Sequence, residues 1–125
     1  MARAAADHLR DVLDAISAIA GYTRGGRKAF EKNTMQRDAV AARLIQIGQA
    51  VKDAQVEGLD LPRLYPDVPW RDIAGMRDRL AHKYWLLDVA IVWAVVKKDL
   101  PGLRSAVEQI LRPLRKKKSR GRPPA

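Results

Sequence analysis

The sequence predicts an all-α protein: an up-and-down bundle of four or five helices, followed by a disordered basic tail. Three observations carry this. Apolar residues recur at spacings of three and four through most of the chain. No alternating strand pattern competes with them anywhere. Gly25-Gly26 and the proline-bearing stretch 58–68 separate the periodic stretches.

Taken in order, residues 4–22 form the first helix, with Leu9, Val12, Leu13, Ile16, Ile19 and Ala20 on one stripe. Asp7 and Asp11 favour its positive N-terminal end. Gly25-Gly26 breaks the pattern, and residues 27–32 form a short helix around Phe30. Asn33 or Thr34 caps a long helix over 34–56, striped by Val40, Leu44, Ile47, Gly48, Val51 and Ala54. Gly48 costs about 1 kcal/mol relative to alanine in a helix interior, which a close helix crossing explains. Residues 58–68 hold Pro62 and Pro66 and read as a loop. Pro69 suits the first turn of a helix that starts near Trp70, with Asp67 as its cap. Tyr65 and Trp70 read as lids on the core, not as platforms for stacked bases. Asp88 caps a further helix containing Ile91, Val92, Val95 and Val96. Asp99-Leu100-Pro101 marks a restart or kink. Leu100, Leu103, Val107, Ile110, Leu111 and Leu114 continue beyond it.

The 125 residues make one domain with a single core, over residues 1–111. There is no cysteine, which excludes disulfides, thiolate metal sites and cysteine nucleophiles. The two histidines, His8 and His82, are far apart in sequence, so a zinc site is not expected. No cofactor is called for. The N-terminus has no long apolar stretch, and a cytoplasmic protein is expected. Net charge is +10, unevenly placed: residues 112–125 carry seven of the 24 lysines and arginines and no acid. The body is nearly balanced, so the tail carries the attraction for polyanions, with Lys116, Lys117, Lys118, Arg120 and Arg122 as candidate nucleic-acid contacts. Arg120-Gly121-Arg122-Pro123 resembles the core of an AT-hook, but generic phosphate affinity is the simpler reading.

The reactive stretch is Arg77-Asp78-Arg79-Leu80-Ala81-His82-Lys83-Tyr84. On a helix, Trp70, Ile73, Ala74, Leu80, Ala81 and Tyr84 fall within about 60° of one line, with Arg77 at its centre. A guanidinium there needs an anion or acceptors to offset desolvation. His82 lies roughly 140° away, on the side of Asp78, one turn earlier. Either the helix ends near Leu80, or a second chain completes the site. Histidine, with a reference pKa of about 6.5, serves as acid or base at neutral pH. Arginine forks two N–H bonds onto phosphate oxygens. Asp78 is placed to orient the imidazole, and Tyr84 to donate a hydrogen bond to phosphate. A symmetric dimer brings two histidines and two arginines to one cleft and answers the angular offset.

Arg77-x4-His82-x-Tyr84 resembles the signature of HEPN-domain toxins, specifically the HepT-like subgroup. The run from Pro69 to Met76 is similar to that subgroup's, as are Ile47-Gly48-Gln49-Ala50 and the stretch from Asp88 to Pro101. Lys83 stands where relatives often carry glycine. The resemblance spans roughly residues 7–111. It implies the HEPN helical bundle and the toxin of a type VII toxin–antitoxin system: a metal-independent endoribonuclease, homodimeric, with Arg77 and His82 catalytic. It also implies an MntA-type minimal nucleotidyltransferase antitoxin that silences the toxin by adenylylation (AMPylation) of Tyr84. The alternative is a catalytically silent helical module that docks a nucleotidyltransferase or nucleic acid, with Arg77 as a structural ion-pair partner.

Overall fold

The computed structural model describes residues 4–83 and 89–120, and the side chains within them except at 77, 79–83 and 114–120. The described residues form an all-α bundle. In chain order they are α1 (Ala5–Tyr22), α2 (Arg27–Lys32), α3 (Thr34–Val56), α4 (Leu61–Leu64), α5 (Trp70–Lys83), α6 (Val89–Ala94), a π-helical turn (Val95–Asp99) and α7 (Leu100–Arg120). Long helices α1, α3, α5 and α7 make the bundle, and α2 and α4 are short connectors.

Local chemistry sets the boundaries. Thr23 ends α1: it is buried, and its hydroxyl donates to Ile19 O at 2.8 Å. Gly26 has φ +92° at the start of α2, a backbone conformation open to glycine. The Asn33 side chain caps α3 by accepting from the Gln36 N–H at 3.0 Å. At the other end Gly58 has φ +110°, its N–H donates to Gln55 O, and Leu59 N–H donates to Ala54 O. That pair of bonds is a Schellman motif, which satisfies the last carbonyls of the helix.

Helix α3 is central. It packs on α1 along one side and on α5 along the other. Its buried residues are Val40, Ala41, Leu44, Ile47, Gly48, Ala50, Val51 and Ala54. At 3.6 residues per turn they cover roughly half its circumference, wider than a helix lying on one neighbour needs. Helix α1 also packs on α7, whose buried residues include Leu103, Val107 and Leu111. Phe30 is buried, and its ring lies 5.4 Å from that of Trp93.

Two stretches depart from the sequence expectation. Residues 58–68 are not loop throughout, because α4 sits inside them. Its signals are those of any helix start: Asp60 accepts from the Arg63 N–H, Pro62 sits in the first turn, and Leu61 is fully buried. The break expected at Asp99-Leu100-Pro101 is a π turn over Val95–Asp99 that passes straight into α7. Pro101 has no N–H to give the carbonyl one turn earlier, so wider spacing immediately before it costs the ladder less. Leu100 stays helical at φ −63° and ψ −37°, although the residue before a proline disfavours that region.

Helix α7 carries Pro113 within it and runs nine residues into the basic stretch, to Arg120. Leu111 is the last buried residue among the described side chains. Residues 121–125, with Arg122, lie outside the described residues, as do the side chains of Lys116, Lys117, Lys118 and Arg120. Among the described residues no helix is long and apolar enough to cross a membrane.

Candidate active site

Positions 77 to 83 of the motif stretch stand on α5, and the aromatic residues before them anchor that helix. Trp70 is 2% exposed, and its indole N–H donates to Tyr65 O at 2.8 Å. The Tyr65 hydroxyl donates in turn to Gln109 Oε1 on α7, also at 2.8 Å. Both aromatics thus close the core, as the sequence predicts, and they tie the entry of α5 to α7. Asp67, expected as a cap, is exposed. The first amide of α5, that of Trp70, donates instead to Val68 O at 2.8 Å, and Ile73 N–H reaches Pro69 O at 3.0 Å. Pro69 therefore sits just ahead of the helix, not in its first turn.

Trp70, Ile73 and Ala74 are buried on the inner stripe of α5. Position 77 follows Ile73 and Ala74 by four and three residues, so it continues that stripe. The helix is unbroken to Lys83. This removes one of the two alternatives posed by the motif: α5 does not end near Leu80. Positions 77 and 82 stay about 140° apart around the axis. The side chains of Arg77 and His82 lie outside the described residues, and so does all of Tyr84 and Asp88. His8 is half-buried on α1, near the start of the chain.

Asp78 is the motif residue whose surroundings are described. Its Oδ2 lies 3.4 Å from Lys52 Nζ on α3. The sequence reading missed Lys52, because a partner 26 residues away leaves no local signal. Gly48 is on the same side of α3, four residues before Lys52, and it is buried. The side of α3 that carries Lys52 is thus the one turned to α5. Among the described residues no cluster of His, Asp or Glu is placed to hold a metal ion.

An Arg-x4-His-x-Tyr motif whose first two positions lie on one helix of an all-α bundle defines the class of protein to compare. The profile described as "Ribonuclease HepT-like" matches residues 12–110. The chain belongs to the HepT-like ribonuclease family. It is 37% identical over 113 residues to "Probable ribonuclease HepT" of Thermococcus cleftensis, an alignment covering 88% of this chain and 98% of that one. It is 33% identical over 110 residues to "Putative RNase MJ0125" of Methanocaldococcus jannaschii, covering 87% and 92%. A longer protein of that organism, "Gamma-glutamylcyclotransferase and putative RNase MJ0434", is 34% identical over 113 residues, and the match covers 90% of this chain and 50% of that one. No solved structure matches the chain. The basic stretch from Arg112 onward lies beyond the family match.

Proposed function

We propose that the chain is a metal-independent endoribonuclease, the toxin of a type VII toxin–antitoxin pair. The observation that carries the reading is the Arg77-x4-His82-x-Tyr84 motif, with positions 77 and 82 on α5, in a chain of the HepT-like ribonuclease family. RNA supplies its own nucleophile, the 2′-hydroxyl. His82 of one protomer takes the 2′-hydroxyl proton as the 2′-oxygen bonds to phosphorus. The bond from phosphorus to the 5′-oxygen breaks, and the second protomer's imidazolium protonates that leaving oxygen. The products are a 2′,3′-cyclic phosphate and a 5′-hydroxyl. Arg77 holds the non-bridging oxygens, where charge accumulates in the transition state. The 140° offset within one helix supports a homodimer that brings two copies of the motif to one cleft. The test is cleavage of a defined single-stranded RNA in excess EDTA by protein that light scattering shows to be dimeric. Monomeric protein with full activity, or cleavage that stops in EDTA, would overturn the reading.

Tyr84 is the proposed off-switch. In adenylylation its oxygen bonds to the α-phosphorus of a nucleoside triphosphate, pyrophosphate leaves, and the hydroxyl proton goes to solvent. The antitoxin partner is an MntA-type nucleotidyltransferase. A phosphodiester anion added two residues from His82 competes with the RNA phosphate for the cation at position 77. Co-expression with that partner is expected to add AMP mass to the peptide containing Tyr84 and to abolish cleavage. A Tyr84→Phe protein that the partner still neutralises would remove the switch.

The basic stretch contributes affinity. Deleting residues 112–125 removes seven cations. The slope of log affinity for RNA against log salt is expected to flatten, by up to about 0.7 per lost phosphate contact on a single strand. The cleavage rate at saturating RNA is expected to hold. An unchanged salt slope would show that the stretch does not touch the substrate.

A further inference from the structure

The Lys52–Asp78 pair is out of proportion to its worth as a fastener. Its side chains are 38% and 55% exposed. Pairs this open to water add little to stability, because solvent screens them and the lysine gives up rotamer freedom. The pairs Arg10–Asp7, Arg27–Glu31 and Arg104–Glu108 each stay within one helix. Lys52–Asp78 instead crosses from α3 to α5, and it meets α5 inside the motif, at the residue after Arg77.

We infer that Lys52 is a positioning residue of the RNA-cleaving site, acting on His82 through Asp78. This rests on the ribonuclease reading above. Helix α5 is regular through Lys83, so positions 78 and 82 share one face, one turn apart. An ionised carboxylate has two oxygens and about four lone-pair directions. Those directions accommodate the Lys52 ammonium and an imidazole N–H on the same carboxylate. Lys52 selects the Asp78 rotamer, and Asp78 then selects which ring nitrogen of His82 carries the proton. That is how a carboxylate serves a histidine in acid–base catalysis.

The histidine content makes a direct test feasible. With His8→Gln, the one remaining imidazole is that of His82. In that background Lys52→Met is expected to move the ring resonances of His82, and to leave them in place when Asp78→Asn is already present. In RNA cleavage Lys52→Met is expected to lower kcat about tenfold, the size of coupling seen within one polar network, with KM nearly unchanged. Lys52→Arg is expected to restore most of the rate. Three results overturn the proposal: ring resonances indifferent to Lys52→Met in a protein that cuts RNA, a ring shift that persists in the Asp78→Asn background, or a loss confined to KM. A ring that responds as expected in a folded protein that cuts no RNA would overturn the ribonuclease reading instead.

Discussion

Replacing His82 with alanine is expected to slow RNA cleavage by about a hundredfold or more without unfolding the protein. Losing a general acid or base typically costs about 10²–10⁴ in rate. Arg77→Ala is expected to cost about 10²–10³, the effect of removing one preorganised contact to developing charge. The two variants separate by chemistry. Added imidazole should restore part of the His82→Ala rate and none of the Arg77→Ala rate. Initial rates on a labelled oligonucleotide, with helicity followed by circular dichroism, decide the matter. A folded His82→Ala protein that cleaves at the wild-type rate would remove the histidine from the chemistry and leave the silent binding module as the better account.

The second large effect concerns stability. Trp70→Ala is expected to destabilise the fold by about 3–5 kcal/mol, the usual cost of truncating a buried tryptophan. Trp70 is buried at the head of α5, and its indole N–H is spent on Tyr65 O. Trp70→Phe keeps most of the apolar volume and forfeits that bond, so a loss nearer 1 kcal/mol is expected. Urea denaturation of the two variants measures the difference. Equal losses would mean that volume is irrelevant at this position and that the hydrogen bond alone holds the entry of α5.

Much of this was legible because the controlling signals are local. Gly25-Gly26 and Asn33-Thr34 punctuate the chain within a few residues, and α2 and α3 begin and end where those signals stand. The motif is equally local: five residues along one helix determine the angle between Arg77 and His82. The reading failed where two local rules compete. Pro62 counts both as a breaker and as a favoured first-turn residue, and the Asp60 cap decides for the helix. Pro101 was rightly read as a disturbance, but the π turn before it depends on how α6 and α7 both reach the core. Lys52 was not legible at all. It is one of several charges on α3, and only the docking of α5 selects it.

The central place of α3 has a consequence for the order in which the molecule is made. Each long helix in the first two thirds of the chain packs on the next long one: α1 on α3, then α3 on α5. Such sequence-local partners close at little entropic cost, and helical domains built this way fold in microseconds to milliseconds. A ribosome delivers about 5–20 residues per second, far slower than that. The α1–α3 pair can therefore be in place before the motif has left the exit tunnel. Helix α5 then docks on a finished surface, and α7 follows it to close the bundle against α1. The segment that carries positions 77 and 82 is thus the last part of the α1–α3–α5 layer to be set in place.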